Sequence, residues 1–136
     1  MTRSTHARPS AVNRLPEPIK RVVGAALDRK AVDIVVLDLR RAHGFTDFFV
    51  ICSGTNRRHI QAIGDAIGTL LRGLDVRPNH VEGYERAEWI LIDCFDFIVH
   101  IFSPETRAFY ALDRLWGNAE RIEAPAPESP ADTAHK

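Results

Sequence analysis

Ser53, Gly54 and Thr55 stand where an apolar run gives way to a helical pattern. Free backbone amides at such a junction can hold a phosphate or a carboxylate, or can serve only to turn and cap the chain. The segment is neither a P-loop, which needs a longer Gly-rich stretch ending in Lys and Ser or Thr, nor a dinucleotide fingerprint with three spaced glycines. Arg57, Arg58 and His59 follow in the first helical turn, where each cation opposes the macrodipole by roughly 0.3–1 kcal/mol. They read either as a solvated basic face or as a secondary contact to an acidic partner or phosphate. Asp93 and Asp96 suggest the paired carboxylates of a metal-dependent nucleotidyltransferase. A strand, however, offers two ligands to one ion at i and i+2, and i, i+3 separates them unless a turn reunites them. The six histidines have no zinc-site spacing. No metal or cofactor is expected, and His100 within FIVHIF reads as a hydrogen-bonded sheet residue. Cys52 and Cys94 lie in apolar runs without CxxC spacing, as reduced, buried thiols of a cytosol would. Neither Cys52 nor Ser53 has a nucleophile-elbow frame or a local base, so the chain is not expected to be an enzyme.

Interface residues are better represented than catalytic ones. The run Trp89 to Trp116, WILIDCFDFIVHIFSPETRAFYALDRLW, joins an apolar hairpin to an aromatic-rich amphipathic segment. Trp89, Tyr110 and Trp116 are types enriched among interface anchors, and Tyr110, Leu112, Leu115 and Trp116 are too many for one narrow buried stripe, so with Trp89 they suggest a docking surface. They are expected to form an apolar patch ringed by Asp96, Arg107 and Asp113. With 18 Lys and Arg against 18 Asp and Glu, the formal net charge is zero. That balance argues against affinity generated by neutralising many phosphates and points to a protein contact.

The elements that must position these residues are legible from periodicity. After Pro16 and Pro18, Ile19, Val22, Val23, Ala26 and Leu27 make one stripe of a helix. DIVVLDL and DFFVICS read as strands covered on both faces. Ile60, Ile63, Ile67, Leu70, Leu71 and Leu74 give a second helix from Asn56 to about Gly73, capped by Thr55 or Asn56. A short strand near His80 to Glu82, a hairpin of WILID and FIVHIF, and a short helix from about Glu105 or Ala108 to Trp116 complete the domain. This is one α/β domain, residues 16–123, with a mixed sheet flanked by helices. Residues 1–15 and the Pro-rich 124–136 read as flexible tails. Arg3, Arg8 and Arg14 precede the first acidic residue, Glu17; a disordered bacterial tail and an organellar transit peptide both suit that pattern. No apolar run approaches the ~20 residues that span a bilayer, so a soluble, cytoplasmic protein is expected.

In order, DIVVLDL, TDFFVICSGTNRRHIQAI, VEG, WILIDCFDFIVHIF and ETRAFYALDRLW resemble the ribosomal silencing factor family, RsfS, also called Iojap-like, over about Ile19 to Ala119. The resemblance implies a domain of nucleotidyltransferase-like shape without the catalytic residues. It also implies binding to the large ribosomal subunit through its protein uL14, steric exclusion of the small subunit, and lower translation when nutrients are short. Some members form homodimers. The family pattern falls on Asp47, Ser53, Gly54, Thr55, Arg58, Glu82, Gly83, Trp89, Asp93, Asp96, His100, Arg107, Tyr110, Leu112, Leu115 and Trp116. Family members commonly carry Gly where Phe95 stands, so the turn there is expected to be strained or different.

Overall fold

Two helices lie on one face of a six-stranded sheet in a computed structural model that describes residues 12–41, 46–115 and 119–124. In chain order the elements are α1 (Glu17–Asp28), β1 (Val32–Asp38), β2 (Phe48–Ser53), α2 (Arg57–Gly73), β3 (His80–Glu82), β4 (Trp89–Asp93), β5 (Phe97–Phe102), α3 (Pro104–Tyr110), α4 (Leu112–Leu115) and β6 (Glu120–Glu123). The sheet order is β3-β4-β5-β2-β1-β6, and only β2–β5 is parallel. That parallel pair is central, and β2 and β5 are buried along their whole length. A strand in that position shows no alternation, which is why DFFVICS and FIVHIF read as continuous apolar runs.

Pro16 and Pro18 start α1, where their fixed φ suits a helix entry and no amide bond is lost. Its apolar stripe buries Ile19, Val22, Val23 and Ala26. Lys30, at φ 59°, ends it in the left-handed conformation, with the Ala31 amide donating to Ala26 O at 3.0 Å. On α2 the stripe is Ile60, Ile63, Ile67 and Leu71, all buried against Ile90, Ile92, Val99 and Ile101 of the sheet. Asn56, rather than Thr55, is the cap: its side chain accepts from the His59 amide at 2.8 Å. Asn56→Ala should therefore lower the unfolding free energy by about 1 kcal/mol, seen as a lower urea midpoint at unchanged slope.

One boundary and one element differ from the sequence reading. Leu15 is 7% exposed and belongs to the helix-side core, with Val12 packed against it, so the ordered chain reaches back into the stretch read as an N-terminal tail. A three-residue apolar spacing before a proline is too short to register as a helix period. The domain also does not finish at a helix: β6 pairs antiparallel with β1, from Val35↔Glu123 to Asp38↔Glu120, and buries Ile122. Its sequence, ERIE, is charged as edge strands commonly are, and it carries a single apolar residue to signal it. Residues 1–11 and 125–136, read as tails, lie outside the described residues.

Candidate functional site

Trp89 opens β4 opposite Phe102, the last residue of β5. Alternation along β5 brings Ile98, His100 and Phe102 to the sheet face away from α1 and α2. There the Trp89 ring lies 4.9 Å from the Phe102 ring, 4.7 Å from Tyr110 and 5.9 Å from His100, centroid to centroid. The indole Nε1–H donates to His100 Nδ1 at 3.0 Å. Trp89, Leu91 and Leu112 are half-buried on this face, and Tyr110 is 46% exposed. The result is a tryptophan whose orientation is fixed by three rings and one directional bond, beside a solvent-exposed tyrosine. Fixed orientation matters because an aromatic already ordered before association loses little rotamer entropy on docking.

His100 supports this arrangement from beneath. It is 3% exposed, meets the Phe49 ring edge-on at 4.6 Å and stacks on Phe102 at 6.0 Å. Because the indole can only donate, Nδ1 must accept, and the imidazole proton sits on Nε2, which is buried with no hydrogen-bond partner among the described residues. Burial pushes the imidazole down to about 4, so at neutral pH it is the uncharged acceptor that Trp89 needs.

The segment after β5 is two helices, not one. Ser103 caps α3, accepting from the Thr106 amide at 3.2 Å, and its own amide donates to Glu88 O at 2.9 Å, which anchors the helix start beside β4. Ala111, at φ 49°, breaks the helix and lets α4 turn, so Leu112 comes back to the sheet face. Arg107 does not stand at the rim as expected. Its Nη1 donates to Asp33 O at 2.8 Å and to Ser53 Oγ at 3.1 Å, tying α3 to the start of β1 and the end of β2. Asp33 sits at φ 52° where the β1–β2 register slips, and a bulge of this kind frees a carbonyl for such a contact.

Asp96 is likewise not part of the patch. It lies exposed in the β4–β5 turn, beyond Asp93, and Trp89 to Asp93 alone spans about 13 Å of strand. Hairpin residues near in sequence are at opposite ends of the sheet, which spacing alone did not convey. Asp93 Oδ1 accepts from the Phe95 amide at 2.9 Å, a turn-capping role. Among the described residues no group of three or more His, Cys, Asp or Glu is arranged to hold a metal. Trp116 and the side chains of Leu115 and Asp113 lie outside the described residues.

The possible anion cradle at Ser53-Gly54-Thr55 is occupied by the protein's own groups. Gly54 N donates to Phe102 O at 3.0 Å and Thr55 N to His59 Nδ1 at 2.8 Å. A Cβ on Gly54 would lie 2.7 Å from Ile60 Cγ1, so glycine is there for close packing. His59 Nε2 donates to Arg29 O at 2.7 Å and Arg57 to Glu85 O at 2.8 Å, so both pin loops to α2. Of the three basic residues, Arg58 is exposed and makes no such bond among the described residues. Burial pushes the Cys52 thiol up to about 12 and the Cys94 thiol up to about 11, which leaves both as unreactive thiols.

What these elements define is a small α/β domain with a mixed sheet and an aromatic cluster at one end of its second face. The profile of the family described as ribosomal silencing factor during starvation matches residues 12–136. The chain is 36% identical over 107 residues to a protein of Halalkalibacterium halodurans named ribosomal silencing factor RsfS, covering 79% of this chain and 92% of that one. It is 32% identical to a mouse protein named mitochondrial assembly of ribosomal large subunit protein 1, covering 72% of this chain and 44% of the mouse protein. A crystal structure of a Chromobacterium violaceum protein superposes with a TM-score of 0.72 at 28% identity, over 84% of this chain and 95% of that one. This chain belongs to the ribosomal silencing factor family, RsfS.

Proposed function

We propose that this protein binds the large ribosomal subunit through uL14 and keeps the small subunit from joining it, lowering translation when nutrients are short. Membership of the silencing-factor family supports the reading. The observation that carries it is the pre-oriented Trp89 beside exposed Tyr110, with Leu112 at its edge. These residues, with Leu115 and Trp116 continuing the same segment, form the apolar centre of the contact, and Arg107 holds α3 in place for it. Arg58 is left for a secondary contact. The protein acts in the cytosol, by occupancy and not by turnover: each large subunit it covers is withdrawn from joining in proportion to free factor over Kd. A second copy docking on the same patch gives a homodimer that competes with the subunit.

The name of the mouse relative favours a second reading, assembly of the large subunit, which uses the same surface at an earlier time. A sucrose gradient of purified mature subunits plus the protein separates the two: silencing requires loss of joined ribosomes from mature subunits, and assembly does not. Tyr110→Ala should weaken large-subunit binding by roughly 10-fold with an unchanged circular dichroism spectrum. Normal subunit joining at saturating occupancy would overturn the proposal.

A further inference from the structure

Phe95 is 73% exposed, more than any other large apolar residue among the described ones, and it stands at φ 77°. Other non-glycine residues at positive φ end helices, as Lys30, Asp75 and Ala111 do, or have small or polar side chains. A bulky aromatic is disfavoured in this conformation and gains no burial in return. The turn does not need the ring. Its backbone is held by Phe95 N to Asp93 Oδ1, Asp96 N to Cys94 O, Cys94 N to Phe97 O and Thr46 Oγ1 to Phe95 O, each at 2.9 Å. Asp47 N donates to Asp96 O at 2.9 Å, which fastens the tip to the neighbouring strand. A ring that adds nothing to the fold is thus presented on a clamped support, away from Trp89.

Among the described residues, the charged side chains nearest it in the chain and at the bonded tip are carboxylates, with Arg40 and Arg41 beyond them. Asp93 and Asp96 flank the ring in sequence, and Asp47 is bonded to the tip. Arg40 is engaged with the Asp38 carboxylate at 2.7 Å and lies over the Phe48 ring at 4.9 Å. Aromatic faces attract Lys and Arg side chains, and carboxylates beside them strengthen that preference while repelling phosphates.

We propose that the Phe95 tip is a second anchor, which receives a Lys- or Arg-bearing segment of a protein partner while the Trp89 patch makes the first contact. This rests on the reading that the chain docks on the ribosome. The partner surface is basic protein, not RNA, because Asp93 and Asp96 adjoin the ring and Asp47 is bonded to the tip, while Arg40 is engaged by Asp38. Positive φ is retained as the cost of projecting the ring.

The test uses the full chain, purified large ribosomal subunits and three variants. Phe95→Ala, which removes the ring and keeps the side-chain strain, should weaken binding roughly 10-fold. Phe95→Gly should weaken it as much while raising Tm by about 2–5 °C, since glycine adopts φ 77° without penalty. Asp96→Lys should also weaken binding. Failure of the wild type to bind subunits removes the ribosomal reading and this inference together. Wild-type affinity in Phe95→Ala and Phe95→Gly removes this inference alone, and tighter binding by Asp96→Lys replaces the basic protein partner with RNA. A fall in Tm for Phe95→Gly removes the strain argument.

Discussion

Gly83→Ala should destabilise the domain by about 3 kcal/mol or more, the largest effect expected of any single methyl group here. Gly83 sits at φ 85°, and a Cβ there would lie 2.0 Å from the carbonyl oxygen of Trp89. Neither atom is the free end of a side chain. The clash is with backbone on the first residue of β4, and β3, which ends at Glu82, is hydrogen-bonded to β4 through Glu82↔Leu91. Relief requires the 83–88 loop to lift. That loop is pinned to α2 by Arg57 to Glu85 O, Gln61 to Tyr84 O and the Tyr84 hydroxyl to Asp65, at 2.8, 2.9 and 3.2 Å. Lifting it breaks those bonds or pushes Trp89 out of its contact with His100. Urea denaturation should show the loss as a lower midpoint, and tryptophan near-UV dichroism should weaken with it. A midpoint unchanged from wild type would mean that β3 and its loop move freely, contrary to the packing described.

Stability should fall as the pH is lowered from about 6.5 toward 4, by roughly 3 kcal/mol, through His100 alone. The sign follows from the two states. In the unfolded chain the imidazole takes up its proton near its ordinary value of 6.5; in the folded protein burial holds protonation back to about 4. Above 6.5 both states are neutral and nothing is lost. Between the two values the unfolded state binds the extra proton, so acid favours unfolding. Below about 4 both are protonated and the loss is complete. A protonated Nδ1 also cannot accept from Trp89, so within the folded protein the indole is released only as the pH falls through about 4. Comparing wild type with His100→Leu by urea titration at pH 7, 6, 5 and 4.5 isolates this contribution from the carboxylates, which titrate in both proteins. Parallel curves for the two would contradict it. Docking through the Trp89 patch should hold down to about pH 5 and weaken as the pH approaches 4, where the residue that orients the indole takes up its proton in the folded protein.

Periodicity carried most of the architecture: both long helices, the strands β1 to β5 and the cap of α2 followed from apolar spacing, proline placement and turn residues. Elements without an apolar pattern were not legible. ERIE has one buried residue, and Val12 and Leu15 make a single apolar spacing before a proline, too short to show a period. The break at Ala111 was hidden for another reason: alanine is the best helix former, and only tertiary packing puts it at φ 49°. At the candidate site, residue types indicated a docking face, and Trp89, Tyr110 and Leu112 do come together. Directions were not indicated. Arg107 and Asp96 were grouped with the patch because they are near it in sequence, whereas one points under α3 and the other lies at the far end of a hairpin. The alternation of Ile98, His100 and Phe102 in FIVHIF was the available sign that His100 shares a face with Trp89's partners.

The pairing of β1 with β6 sets an order on how the chain is made. Among the described strands β1 is the first to be synthesised and β6 the last, yet they are hydrogen-bonded neighbours. During translation β1 meets β2 early, and its outer edge stays open until residues 120–123 have been released. A nascent copy therefore carries an adhesive border from the making of β1 until residues 120–123 emerge to cover it.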